Sequence, residues 1–189
     1  MSYSRLPAFV LGFHGCERRL ADRVVARREH LKPSENEYDW LGHGIYFWEN
    51  NPARALTWAK AHAERAAKIS KAFEPAVVGA IIDLGKWLDL LNAASIDLVE
   101  QAYEHMKRVR DKEGVPLPSN ENLSGNGDYL LRKLDCAVIN FLHDTSAEDE
   151  PFDSVRAAFV EGGPIYKNAG FRRKNHIQIC VQPTTKSSA

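Results

Sequence analysis

Two glycines and three aromatic residues fall within eight positions, in the segment LGHGIYFW at 41–48. Glycine lets a backbone bend sharply or approach a ligand closely, and the run Ile-Tyr-Phe-Trp that follows Gly44 is typical of a β-strand. We therefore expect a glycine-bent strand here. Its aromatic side chains either wall a flat ligand or fill the core of a hairpin, and the segment alone leaves both open.

The rest of the chain alternates strand and helix signals. Asn51 followed by Pro52 predicts a helix start, with the helix continuing to about residue 71. Hydrophobic periodicity predicts further elements: a strand at 8–13 stopped by glycine, a surface helix at 17–28, a buried strand at 76–84, a short turn or helix at 87–91, helices at 95–110 and 129–142, a mobile loop at 114–128, and strands at 157–160 and 176–181. This mixture predicts an α+β fold.

Length and composition limit the number of domains, the charge of any partner and the cellular location. With 189 residues the chain is expected to form one domain at 1–183, followed by a polar, disordered tail at 184–189. Lys plus Arg equal Asp plus Glu at 25 each, so the overall charge favours no anionic partner. No apolar run is long enough for a bilayer and the start lacks a signal-peptide pattern, which predicts a cytoplasmic protein without a membrane partner.

The sulfur and imidazole side chains do not predict a metal site. Cys16, Cys136 and Cys180 are widely spaced and odd in number, so we expect reduced thiols. Four histidines, His43, His62, His105 and His143, are also too scattered for a zinc site, so no metal cofactor is expected.

Three strand-associated segments stand out: Phe-His-Gly-Cys at 13–16, Gly-His-Gly-Ile-Tyr-Phe at 42–47 and the alternating run at 176–181. In their order along the chain and in their residues they resemble the motifs of the ADP-ribosyltransferases of the diphtheria-toxin and poly(ADP-ribose)-polymerase type. That family has a His-Gly pair, a Gly-x-Gly-Ile-Tyr-Phe strand and a late strand opening with glutamate. The resemblance implies a split β-sheet core with flanking helices, and NAD as co-substrate.

Carried over by position, the resemblance implies roles for the first two segments. His14 would bond the adenosine-side ribose, and the backbone of Gly15 would grip the nicotinamide carboxamide. Tyr46 would flank the nicotinamide ring, and Trp58, one residue beyond the family position, would stack on its other face. Two further residues complete the cofactor contacts: Cys16, which replaces a hydroxyl residue, and Gly44, which allows close backbone approach.

The third segment departs from the family because it contains no glutamate. Gln178 aligns best and completes a catalytic set with His14 and Tyr46, although its amide carries no charge. His176 lies two residues earlier on the same strand face, and Glu161 precedes it in the adjoining loop, so both remain alternatives. Loss of the acid implies transfer of one ADP-ribose rather than polymer elongation.

The expected function is therefore an NAD-dependent mono-ADP-ribosyltransferase, a toxin or stress effector that modifies a protein or nucleic acid and that an antitoxin or inhibitor restrains. Arg172, Arg173 and Lys174 lie in a basic loop that would select the acceptor and could hold a phosphate backbone. Two alternatives stay open: an inactive module of the same fold that binds NAD or ADP-ribose, and an enzyme similar to RNA 2′-phosphotransferases.

Overall fold

The computed structural model of the chain describes residues 8–122, 131–146 and 151–183. These residues form an α+β fold, as predicted, with a six-stranded sheet and four helices. In chain order the elements are β1 Phe9–Glu17, α1 Arg18–Val25, β2 Ile45–Glu49, α2 Pro52–Ala67, β3 Pro75–Asp83, β4 Trp87–Asp89, α3 Ala93–Glu113, β5 Asn120–Glu121, β6 Leu131–Arg132, α4 Lys133–Ser146, β7 Ser154–Phe159 and β8 His176–Val181. Asn51 caps α2 as expected, because its side chain accepts from the Arg54 amide at 3.0 Å.

The large sheet has the order β3-β1-β2-β8-β7-β4, and β5 pairs with β6 in a separate ribbon. All neighbours in the large sheet are antiparallel except β4 and β7. Because successive side chains alternate between faces, Tyr46, Trp48 and Gln178 share what we call the front face. His14 and Phe47 lie on the opposite, back face.

Helices cover both faces. The α3–α4 pair packs over one half of the front face, where it buries strand residues including Val155 and Cys180. Helix α2 covers the front of β1, where Gly15 meets Ala55. On the back face α1 packs on Cys16 at one end, and a second apolar cluster surrounds Phe47 at the other. Helix α2 and the α3–α4 pair thus cover different parts of the front face.

Arg156 links three strands on the back face. Its guanidinium donates to both carboxylate oxygens of Glu49 at 2.6 and 3.0 Å, and to Asp89 at 3.4 Å. The hydrogen bonds to Glu49 are the main reason that the pKa of Arg156 is raised. This ion cluster joins β7 to its neighbour β4 and, across the intervening strand β8, to β2.

Several sequence-based boundaries and assignments are wrong; for example, the strand expected at 157–160 is β7, which spans Ser154–Phe159. The first strand continues through His14 and Gly15 to Glu17, since glycine in an extended conformation does not end a ladder. Residues 87–91 contain β4, a strand paired in parallel with β7, where a turn or helix was expected. Strand β3 is an edge strand and not a buried one, with Ile81 exposed. Helix α4 begins at Lys133 because 131–132 pair as β6.

Other expectations fall partly or wholly outside the described residues. They are much of the loop at 114–128 and the tail at 184–189. Among the four helices of the described ranges, none combines the length and apolarity needed to cross a bilayer.

Candidate functional site

Strands β1 and β2 separate at His14. They share only the pairs Gly12–Glu49 and Phe13–Trp48, whereas β1 stays paired with β3 as far as Glu17. We call the gap bounded by His14, Gly15 and Tyr46 the strand opening. It is the part of the large sheet where backbone groups of two neighbouring strands face each other without a ladder.

His14 spans this opening with its side chain. Its Nδ1 lies 2.8 Å from the carbonyl oxygen of Tyr46; because a carbonyl only accepts, Nδ1 carries the proton. Burial lowers the pKa of His14, and the bond to Tyr46 offsets this in part. The neutral ring therefore offers Nε2 as a hydrogen-bond acceptor. Edge contact with Phe47, centroids 5.8 Å apart, fixes the ring orientation.

Gly15 presents backbone groups to the same opening. The Leu11 carbonyl accepts a hydrogen bond from the Asn50 amide, which immediately follows β2. The Arg18 amide donates to the carbonyl of Glu74, the residue that precedes β3. Bonding direction alternates along a strand, so Gly15, like Leu11, directs its N–H and C=O toward β2. On the front side a Cβ at Gly15 would lie 2.3 Å from the carbonyl oxygen of Ala55. Glycine is therefore required for α2 to pack here.

Tyr46 uses its hydroxyl within its own loop. The hydroxyl donates to the Gly42 carbonyl at 2.7 Å and accepts from the Leu41 amide at 2.9 Å. Burial is the main cause of the raised pKa of Tyr46, and the ring packs on the core under α4. The hydroxyl is thus committed to closing the turn of 41–46. Tyr46 borders the strand opening through its backbone carbonyl.

Tyr46→Phe is expected to lower the free energy of unfolding by about 2 kcal/mol, because it leaves a buried amide and a buried carbonyl without their partner. Urea unfolding monitored by tryptophan fluorescence measures the change. Tyr38→Phe, at an exposed tyrosine of the same region, is the control and should change little. An unchanged midpoint in Tyr46→Phe would contradict a structural role for the hydroxyl.

Gly44 and Cys16 are enclosed by protein. A Cβ at Gly44 would lie 2.5 Å from the Cys180 sulfur and 2.6 Å from the Val181 carbonyl oxygen, so this glycine serves the close approach of β8. The thiol of Cys16 is buried on the back face under α1, and burial raises its pKa. Both environments are explained by packing within the chain.

A second group of side chains lies on the front face beside the opening. We call Trp48, Arg54, Glu161 and His176 the polar cluster. The Arg54 Nη2 lies 3.1 Å from the Glu161 Oε2, with side-chain exposures of 18% and 9%. The Arg54 guanidinium carbon is 5.9 Å from the Trp48 ring centroid, and the Trp48 and His176 rings are 6.4 Å apart. Strands β2 and β8 and the first turn of α2 thus converge here.

Three buried atoms of the polar cluster have no hydrogen-bond partner among the described residues: Trp48 Nε1, Arg54 Nε and His176 Nε2. Native proteins leave few buried polar atoms unpaired. The His176 Nδ1 donates to the Lys174 carbonyl at 2.6 Å, so its Nε2 is an acceptor in the neutral ring. Two donors and one acceptor in a single cluster mark it as a candidate ligand-binding site.

Of the three candidates for the third catalytic position, Gln178 is the least committed. It is half-buried, faces the same side as Trp48, and its amide makes no hydrogen bond within the described ranges. Glu161 is ion-paired with Arg54, and His176 is 8% exposed. The structure places all three on the front face, whereas His14 lies on the back face.

The buried histidines predict a pH dependence of stability. Burial lowers the pKa of His14, His143 and His176 below 6.5. Below pH 6.5 the unfolded chain therefore binds more protons than the folded chain. The free energy of unfolding consequently decreases as the pH is lowered. We expect a lower urea midpoint at pH 5.5 than at 7.5. The variant His14→Asn/His176→Asn should show a smaller difference than wild type, with His143 contributing the remainder, and a wild-type midpoint that rises on acidification would contradict the prediction.

Trp58 lies at the rim of the polar cluster. It is 37% exposed, its ring centroid is 5.8 Å from that of Trp48, and it stacks on His62 at 5.1 Å with 5° between the planes. One face of the indole is therefore occupied by His62. The predicted stacking on nicotinamide would use the remaining exposed part.

The basic loop lies next to the polar cluster. Arg172, Arg173 and Lys174 are exposed and immediately precede β8. Two surface cavities, of about 580 Å³ beside Glu104 and about 300 Å³ beside Phe73, are lined by other residues. In the described ranges no group of three or more His, Cys, Asp or Glu side chains is arranged to hold a metal ion.

Sequence reasoning missed Trp48 and Arg54 as members of the site. Trp48 belongs to the aromatic segment, but alternation alone does not say which of its side chains meets α2. Arg54 could have been recognised from the sequence, because it is a charged residue next to Ala55, on the side of the helix that is buried.

Comparisons with known proteins do not indicate a function for the chain. No family model and no solved structure matches the chain. Among curated proteins, an uncharacterized protein of Methanocaldococcus jannaschii is 26% identical over 201 residues, which cover 96% of this chain and 84% of the relative. The similarity thus extends over both the strand opening and the polar cluster.

Proposed function

We propose that the chain is an NAD-dependent mono-ADP-ribosyltransferase with the ADP-ribosyltransferase fold, and that NAD binds at the strand opening. The supporting observation is the position of His14, whose Nδ1 donates across the opening to the Tyr46 carbonyl at 2.8 Å. This contact fixes the tautomer and directs Nε2 away from Tyr46. The resemblance of the His-Gly and Gly-x-Gly-Ile-Tyr-Phe segments supplies the reaction class.

Gly15 supplies one N–H donor and one C=O acceptor on the same edge. A primary carboxamide has the complementary pair, an oxygen acceptor and an N–H donor, so nicotinamide can be held in plane with β1. His14 Nε2 accepts from a ribose hydroxyl. These contacts restrain NAD on both sides of its pyrophosphate, and such restraint lowers the barrier by pre-ordering the reactants.

In the reaction the bond between the nicotinamide nitrogen and ribose C1′ breaks, nicotinamide leaves, and C1′ bonds to a nucleophile of the acceptor. Positive charge develops on the ribose meanwhile. In this proposal Gln178 accepts from a ribose hydroxyl through its amide oxygen. An amide stabilises this charge less than a carboxylate does, which favours slow transfer of a single unit.

Incubation with NAD labelled in its adenylate phosphate tests the proposal. We expect nicotinamide release, and label that becomes attached to a macromolecule from a cell extract. Gln178→Ala should lower the rate about tenfold, the effect of one neutral hydrogen bond. Full activity in Gln178→Ala together with loss in Glu161→Ala would show that Glu161 is the third residue.

A second candidate function is a module that binds NAD without cleaving it. The observation that favours it is the Arg54–Glu161 ion pair, because the one carboxylate of the polar cluster is already neutralised. Calorimetric binding of NAD by a protein that releases no nicotinamide would select this alternative.

A further inference from the structure

The connection between β7 and β8 is a hydrogen-bonded hairpin. At its base the Lys174 amide donates to the Glu161 carbonyl and the Arg173 amide donates to the Gly163 carbonyl, both at 3.0 Å. Near the tip the Ile165 amide donates to the Phe171 carbonyl at 3.2 Å. We call residues 161–174 the acceptor hairpin. Its two arms are therefore held together by backbone hydrogen bonds beyond the ends of β7 and β8.

Aromatic side chains of this hairpin are exposed. Tyr166 is 60% and Phe171 is 65% exposed, and Ile165 beside them is 41% exposed. No core cluster of the described residues includes these three side chains. Single exposed apolar residues are common, but three on one short hairpin make it a candidate interaction surface.

The hairpin is also strongly basic. It carries Lys167, Arg172, Arg173 and Lys174, and no Asp or Glu follows Glu161 anywhere in the chain, although acids and bases balance at 25 each overall. The guanidinium groups of Arg172 and Arg173 donate only to backbone carbonyls, at 3.5 and 3.3 Å. Within the described ranges no carboxylate pairs with these cations, so their charge is available to an anion.

The base of the hairpin is the polar cluster. Glu161 begins the hairpin and bonds Arg54, and His176 follows it two residues after Lys174. A polymer bound along the hairpin therefore reaches the polar cluster, which lies on the front face beside the strand opening.

We infer that the acceptor hairpin binds single-stranded nucleic acid, and that this polymer is the acceptor of the proposed transferase; the second half of the inference rests on the proposed function. Tyr166 and Phe171 stack on unpaired bases, while the four cations contact phosphates. In the transfer, C1′ of the nicotinamide-side ribose bonds to an oxygen or nitrogen of the nucleic acid, nicotinamide leaves, and the acceptor proton passes to solvent.

The combination of features selects this class of partner. An acidic protein would satisfy the cations and leave the aromatic rings without matching surfaces, whereas every unpaired base offers a flat π-face beside a phosphate. A duplex hides those faces by stacking. The surface therefore favours single strands over duplexes and over acidic proteins.

Fluorescence anisotropy with a labelled 12-nucleotide single strand, without NAD, tests the binding half. We expect Tyr166→Ala and Phe171→Ala each to weaken binding about tenfold, the effect of one lost stacking contact. Arg172→Ala/Arg173→Ala should lower the slope of log affinity against log salt by about 1.4, since each phosphate contact contributes about 0.7 for single strands. The same sequence as a duplex should bind more weakly.

Matched controls are exposed residues far from the hairpin: Phe9→Ala for the aromatics and Arg19→Ala/Arg28→Ala for the charge change. Equal binding by wild type and the hairpin variants, or equal affinity for the duplex, would overturn the inference. With labelled NAD added, label on the oligonucleotide supports the acceptor assignment, and label confined to protein overturns it. Oligonucleotide binding without any nicotinamide release would instead refute the proposed function while leaving the binding surface intact.

Discussion

His14→Asn is expected to lower the rate of NAD cleavage by about 100-fold, the scale of misplacing a bound substrate relative to its reacting groups, and to cost only about 1 kcal/mol of stability. The asparagine amide nitrogen takes the place of Nδ1 and still donates to the Tyr46 carbonyl. It has no atom at the position of Nε2. The variant therefore keeps the contact that spans the strand opening and removes the one offered to ribose.

His14→Gln is the matched control. Its amide extends toward the position of Nε2 but cannot also donate to Tyr46, so it should retain more activity and lose more stability than His14→Asn. Chromatographic measurement of nicotinamide gives the rates, and urea unfolding gives the stabilities. Equal activity of His14→Asn and wild type would mean that His14 is a structural residue only.

Arg54→Met is expected to lower the free energy of unfolding by about 3 kcal/mol, because it leaves the Glu161 carboxylate buried without its partner. The side chains of the pair are 18% and 9% exposed, so water compensates little. Glu161→Gln alone should be destabilising as well. The double variant Arg54→Met/Glu161→Gln should recover part of the loss, because no charge then remains buried.

The same double variant separates structure from chemistry at Glu161. If Glu161 only neutralises Arg54, the double variant should keep most of the NAD cleavage rate of wild type when both are measured below their unfolding transitions. Urea unfolding of the four proteins in the cycle gives the coupling energy. A coupling energy near zero would contradict the buried ion pair, and loss of cleavage in a stably folded double variant would assign a catalytic role to the pair.

Local patterns in the sequence predict part of this fold accurately. Alternation and β-branching predict β8 at His176–Val181, and Asn51 with Pro52 predicts the start of α2. Both signals act within a few residues. The strand β4 at Trp87–Asp89 was missed because its three residues are a strand only through pairing with β7, more than sixty residues away.

The candidate site shows the same limit. The His-Gly and Tyr46 segments are visible as motifs, but the sequence does not reveal that the Tyr46 hydroxyl closes its own turn. Arg54 and Trp48 become site residues because α2 crosses the front face next to β8. The choice among Gln178, His176 and Glu161 depends on partners such as Lys174 and Arg54, which lie in different elements.

Nicotinamide release from NAD by the purified wild-type protein, compared with His14→Asn under the same conditions, tests the central claim most directly. If the strand opening is an NAD site, nicotinamide should accumulate with wild type, and the rate of its release should be about 100-fold lower with His14→Asn. No nicotinamide from a folded wild-type protein, or equal release by the two proteins, would contradict the claim.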